Sequence, residues 1–190
     1  MTTIVAISGS LRAKSFNTLL LRAAVAAAPA DATIETATIR DIPIYDGDLE
    51  AAQGIPPAAA ALKDRVAAAD GLLLVTPEYN NSIPGAFKNA IDWMSRPPAD
   101  AARVFAGRVV GVIGATPGIG GTGLAQAAWL PVFRTLGMLP FFGARLQVAN
   151  AAKVFDDTGA LVDATVRGLL EKYMTRFVQF VAQHKAVRTS

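Results

Sequence analysis

The sequence predicts a three-layer α/β fold: a five-stranded parallel sheet of order 2-1-3-4-5 with helices on both faces. Strand-length apolar runs alternate with helical segments from one end of the 190 residues to the other, the pattern of a parallel sheet with right-handed crossovers. Five strands connected this way fit the doubly wound order whose switch point lies between the first and third strands. The two most unusual loops, 9–17 and 77–82, leave those two strands. They therefore flank the crevice where open α/β sheets bind ligands.

Each element has its own signal. Thr3–Ser8 reads as the first strand, and a helix from Phe16 to about Ala28 sets Leu19, Leu20, Ala23, Ala24 and Ala27 on one face. Thr33–Ile39 alternates like a half-buried edge strand. Residues 40–55, with Pro43, Gly47 and Gly54, read as a loop. Pro57 opens a helix running to about Ala69. Gly71–Val75 is an apolar strand, followed by the 77–82 loop and a helix over 84–95. Val109–Gly114 is the fourth strand. A Gly-rich loop over 115–121 leads to a helix ending near Leu136, in which Pro131 implies a kink or a restart. Arg145–Val148 is read as the fifth strand and Asp163–Gln183 as the last helix. No linker or repeat interrupts the pattern, so residues 1–190 are expected to form one domain.

Composition excludes several chemistries. There is no cysteine and one histidine, His184, so thiol catalysis, disulfides, His-based triads and His or Cys metal sites are ruled out. His184 reads as a solvated residue at the end of a helix. Apolar residues make up 52% and charged residues 17%, which suggests a compact fold with an apolar face shared between subunits. The net charge is +3 and the basic residues are scattered, so nucleic-acid binding gets no support. The uncharged stretch 109–133 contains six Gly and two Pro and does not read as a membrane span. The N-terminus enters a strand at once, without the charged and apolar regions of a signal peptide, so the expected compartment is the cytoplasm.

Three segments carry chemistry. In Ser8–Asn17, the residues Ser10, Ser15 and Asn17 surround a helix N-terminus whose N–H groups lack internal partners, and Arg12 adds a fixed cation. That is an anion site suited to phosphate; a helix cap alone would account for Ser15 only. The segment is neither a Walker A loop nor a dinucleotide fingerprint. In 76–96, Tyr79 beside Asn80 and Asn81 offers a flat face and hydrogen-bonding groups to a planar heterocycle; the plainer reading is an ordinary strand–helix loop. Gly118–Gly123 resembles a dinucleotide loop, but no acidic residue lies between Asp100 and Asp156, so the ribose partner is missing. That loop either lets backbone approach a flat ligand or makes a tight turn. Phe87 and Trp93 read as core or interface residues, and Asp92–Arg96 as an i,i+4 surface pair.

These residues also carry a resemblance. Gly9-Ser10-Leu11-Arg12 with Ser15 and Asn17 is one part. Pro77-Glu78-Tyr79-Asn80, continuing through Ser82, Pro84-Gly85 and Lys88-Asn89-Ala90-Ile91-Asp92-Trp93, is the second. Gly120-Gly121 with Ala125-Gln126 is the third. Together they are similar to the NAD(P)H-dependent FMN reductase family, over nearly the whole chain to about Val148. The resemblance implies a flavodoxin-like fold and FMN as cofactor, with NADPH or NADH as co-substrate. By the resemblance, Ser10, Arg12, Ser15, Phe16 and Asn17 surround the FMN phosphate. Pro77, Glu78, Tyr79 and Asn80, with Ser82, lie along the isoalloxazine ring, and Thr116, Gly118 and Gly120 come near its other edge. Where such proteins often carry Ser after the fourth strand, this chain has Thr116-Pro117.

The expected activity is NAD(P)H oxidation through FMN, with ping-pong transfer to a small-molecule acceptor: a quinone, free flavin, azo dye or chromate. The flavin carries the hydride chemistry, so no side chain is assigned as catalytic and no metal is expected. Backbone N–H groups of the 77–82 and 116–121 loops would tune the ring. A homodimer or homotetramer is expected, with the helices after Pro84 and Gly121 at the contact and Asp92 pairing with Arg96 across a two-fold axis. The alternative is a flavodoxin-type electron carrier that does not turn over pyridine nucleotide.

Overall fold

The apolar runs of Thr2–Ser8 (β1) and Gly71–Val75 (β3) are buried on both faces, as central strands of a parallel sheet must be. β1 pairs in parallel with both β3 and the edge strand Ala32–Ala37 (β2). β3 pairs with Val109–Ala115 (β4), and β4 with Leu139–Pro140 (β5). The order is β2-β1-β3-β4-β5, as expected, and it is the flavodoxin order. The computed structural model describes residues 1–185.

Alternation along each strand divides the apolar residues between two cores. Ile4, Ala6, Leu73 and Val75 face one core with Phe16–Ala26 (α1) and Ala164–His184 (α8). Val5, Ile7, Leu72 and Leu74 face the other, with Pro57–Ala68 (α3), Gly85–Met94 (α4), Pro98–Phe105 (α5) and Gly123–Thr135 (α6). The sheet is thus covered on both sides. Among the described residues, no helix is long and apolar enough to cross a membrane.

Four expectations need correction. The fifth strand is split: β5 pairs with the start of β4, the chain leaves the sheet, and Gln147–Val148 (β6) rejoins it beside Gly114–Ala115. Pro140 has no N–H to offer a ladder, which favours an interruption there. The 40–55 loop contains a helix, Gly47–Gln53 (α2). The Asp46 side chain caps it through the Asp48 N–H, and Gly54, at φ 76°, ends it. Residues read as breakers are its start and stop signals. α5 and the short helix Ala151–Val154 (α7) were not expected at all. α6 runs through Pro131 as one helix; Pro131 and Ala127, whose carbonyl the proline cannot serve, both lie on the exposed side where water can.

α4 departs from expectation in a way that bears on assembly. Phe87, Ile91, Trp93 and Met94 are all buried within the chain, so no partner is needed to cover a second apolar face. The 40–54 segment covers it instead. The carbonyl of Pro43 accepts from Trp93 Nε1 and Asn89 Nδ2, each at 2.8 Å, and the Tyr45 ring meets Trp93 edge-on at 4.9 Å. Arg96 donates to Glu50 at 2.8 Å and Asp92 accepts from Lys88; within the chain the expected i,i+4 Asp92–Arg96 pair does not form. The Arg96 hydrogen bond holds the Glu50 carboxyl below its usual range, and the Tyr45 hydroxyl adds to that effect. His184 is not fully solvated either: its ring packs against that of Phe180, tilted by 41°, with centroids 4.1 Å apart.

Candidate functional site: a cavity at the carboxyl ends of β1, β3 and β4

The crevice is where the topology puts it. The loops after β1, β3 and β4 enclose a cavity of about 310 Å³, within the usual range for ligand pockets. Ser10, Arg12, Ser15, Phe16, Asn17, Pro77, Glu78, Tyr79 and Thr116 line it, together with Ala115 and Pro117, which were not among the expected site residues. Asn80, Ser82, Gly118 and Gly120 lie in the same loops but outside its lining.

The first wall is built for an anion. Ser15 takes an extended conformation and caps α1, its Oγ accepting from the Asn17 N–H at 3.2 Å. The side chain of the exposed Arg12 makes one long hydrogen bond, to the Lys14 carbonyl at 3.4 Å, and pairs with no carboxylate among the described residues. The helix N-terminus and this uncommitted guanidinium converge on one spot. The Asn17 side-chain amide is buried and exchanges two hydrogen bonds with the backbone of Ala115, at 2.8 and 2.9 Å. It clips α1 to the end of β4 and so shapes the cavity.

Gly9 fixes where this loop runs. A Cβ there would strike the ring of Phe87, which is fully buried and packed against Trp129 at 5.1 Å. Gly9→Ala is therefore expected to cost about 1–3 kcal/mol and to displace the 9–17 loop. Chemical denaturation of the variant checks the first effect; an unchanged midpoint would show that the ring can yield.

The second wall is a tight turn. Tyr79 and Ser82 exchange backbone hydrogen bonds at 3.1 and 3.0 Å, and Asn80 and Asn81 sit at φ 50° and 61°. Asparagine tolerates this left-handed pair, which two-residue hairpin turns of the primed type require. The turn exposes about half of Tyr79 at the mouth of the cavity. It also consumes the N–H groups of Tyr79 and Ser82, so these two are not spare donors. Glu78 turns away: its carboxylate accepts from the Ala125 N–H at 2.9 Å, at the start of α6. Among the described residues it is the only carboxylate in the cavity lining, and this contact commits it to α6.

The third wall is held from behind. The Thr116 N–H donates to the Val148 carbonyl at 2.9 Å, and its own carbonyl accepts from Ala151 at 3.0 Å. β6 and α7, neither of them anticipated in this form, position this edge. Gln126 donates to Thr122 and to the Leu146 carbonyl, which ties α6 to the same strand. Around Gly120 a Cβ would meet nothing within 4 Å, so the backbone there stays open to a flat ligand.

Comparison with known proteins agrees with this geometry. Residues 2–153 match the family model described as NADPH-dependent FMN reductase. An NAD(P)H-dependent FMN reductase of Pseudomonas aeruginosa is 38% identical over 171 residues, 90% of each chain. A 2-hydroxy-1,4-benzoquinone reductase of Burkholderia sp. is 34% identical over 96% of this chain and 97% of its own. Among solved structures, a flavoenzyme NAD(P)H:(acceptor) oxidoreductase from Paracoccus denitrificans superposes with a TM-score of 0.86 at 32% identity, covering 97% of this chain and 99% of that one. With the family model matched over most of its length and relatives this similar, the chain belongs to the NADPH-dependent FMN reductase family.

Proposed function

We propose that this chain is a single-domain, FMN-dependent oxidoreductase that oxidises NADPH or NADH and reduces a small-molecule acceptor. The observation that carries this reading is the convergence of three loops on one cavity: an uncommitted Arg12 and the N-terminus of α1 on one side, the half-exposed Tyr79 ring on another. The lining fits FMN. A dianionic phosphate suits the Arg12, Ser10 and Ser15 corner, and a planar ring suits Pro77, Tyr79 and the glycine-opened backbone of 118–120. FMN supplies the hydride chemistry when bound. The chain holds, orients and shields: Glu78 and Asn17 lock the walls, and no side chain is assigned a proton transfer.

The activity named for the relatives extends to this chain as FMN reductase or quinone reductase chemistry. Donor and acceptor are received in turn at the same cavity, so double-reciprocal plots at several acceptor concentrations should be parallel. Quinone, free flavin, azo dye and chromate form the acceptor panel. The FMN-loaded protein should lose its yellow colour on anaerobic mixing with NADPH or NADH. No bleaching with either would reject the reductase and favour an electron carrier.

A homodimer or homotetramer is part of the proposal. α4 gives it no support, since its apolar residues are covered internally. α6 and the excursion after β5 offer apolar surface instead: Leu124, Leu130 and Phe142 are 55%, 41% and 74% exposed, and Leu130 and Phe142 line one groove. Sedimentation at low micromolar concentration should find more than one chain per particle; an active one-chain species would end this part of the proposal. A cytoplasmic location is proposed with it.

A further inference from the structure

The loop that carries Arg12 has a second side. Behind it lies a basin of about 470 Å³ that shares Ser10 and Arg12 with the main cavity, so the two adjoin. Arg22 of α1, Thr36 and Thr38 at the end of β2, Arg40, and Arg65 of α3 also line it, and no carboxylate does. Arg65 is committed: it donates to the Thr36 carbonyl at 2.8 Å and lies 3.5 Å from Glu35. Arg40 donates to the Leu11 carbonyl at 2.9 Å, which braces the loop but leaves its charge unneutralised. The Arg22 side chain makes no hydrogen bond or ion pair among the described residues.

Three guanidinium groups without carboxylates around one concavity repel one another. Folding gains nothing from that arrangement; a bound anion does. Its place in the fold is a second, independent pointer. The basin lies at the carboxyl end of β2. Ligands of doubly wound sheets bind outside the carboxyl ends of the strands, and in those that bind NADP an Arg accommodates the 2′-phosphate; this chain lacks their glycine fingerprint, so what carries over is that chemistry. Thr36 and Thr38 add hydroxyls at the same spot.

We propose that this basin is a second phosphate subsite beside the FMN phosphate corner, and that it takes the 2′-phosphate that distinguishes NADPH from NADH. The assignment rests on the reading of the chain as an NAD(P)H oxidoreductase. Arg22 and Arg40 are its specificity-determining residues, and Arg12 stands between the two phosphates.

The test uses the FMN-loaded protein in phosphate-free buffer. Adenosine 2′,5′-bisphosphate and 5′-AMP are titrated calorimetrically and also run as inhibitors of NADPH oxidation. The bisphosphate should bind roughly tenfold more tightly or better, as a charged hydrogen bond implies, and millimolar inorganic phosphate should compete with it. Arg22→Gln should remove most of the difference and lower the ratio of kcat/KM for NADPH to that for NADH by about tenfold, while the Kd for FMN stays as it was. Arg22 holds no other part of the fold, so this variant reads the basin alone; Arg22→Gln with Arg40→Gln should deepen the effect. Equal affinities in the unaltered protein, or a preference that survives the double variant, would overturn the proposal. Binding of inorganic phosphate with no preference for the bisphosphate would assign the basin to the free anion and overturn its occupant. Failure of the underlying reading looks different: no FMN bound and neither dinucleotide oxidised, which would overturn both.

Discussion

Arg12→Ala is expected to raise the Kd for FMN roughly 10- to 150-fold, from the about 1.5–3 kcal/mol that a hydrogen bond to a charged group contributes. The side chain lines the cavity beside the N-terminus of α1, and its one intramolecular hydrogen bond is long. Little holds it except the ligand it would meet. Its removal should therefore leave the fold intact and weaken binding. With saturating FMN, kcat should fall far less than affinity does, because the phosphate sits at the far end of the cofactor from its reactive ring. Titration of apoprotein with FMN, followed by fluorescence quenching, gives the number. An unchanged Kd would place the phosphate elsewhere and would undo the assignment of the 10–17 loop.

The second large effect is on stability. Arg108→Met should destabilise the fold by at least about 3 kcal/mol, since each buried carbonyl that loses its donor costs about 1–3 kcal/mol. Arg108 is fully buried just before β4. Its guanidinium donates to the carbonyls of Ala67 and Ala69 at the end of α3 and of Val104 at the end of α5. It is a cation placed at two helix C-termini, where the backbone dipoles favour it. Methionine keeps most of the volume and supplies none of the donors. Urea denaturation measures the loss, and a midpoint within error of the parent would mean that water serves those carbonyls. Because Arg108 lies at the opposite end of β4 from the cavity, FMN affinity below the transition should be unaltered. That separates this defect from the one at Arg12.

The two residues differ in how much the sequence says about them. Arg12 stands in a strand–loop–helix context with Ser10 and Ser15, and its place in the wall of the cavity is legible from spacing. Arg108 looks like any basic residue ahead of a strand. Nothing local announces that it ties two helices together, because two of its three acceptors lie 39 and 41 positions away.

The same division runs through the whole molecule. Periodicity and apolar runs are local properties, so β1, β3, β4 and the long helices were readable to within a residue or two. The strand order followed from their alternation, and with it the meeting of the 9–17 and 77–82 loops. The contacts that finish the site depend on distance in space. Asn17 meets Ala115 across 98 positions and Glu78 meets Ala125 across 47. Glu50 takes Arg96 away from Asp92, and the 40–54 segment covers a face of α4 that by itself looks unpartnered. The chain's own pattern of apolar and polar residues determined the layers and the place of the cavity, since burial sorts side chains one element at a time. Which polar side chain closes on which backbone group was decided only by the tertiary structure, since a hydrogen bond needs its partner within about 3 Å and sequence spacing does not encode that distance.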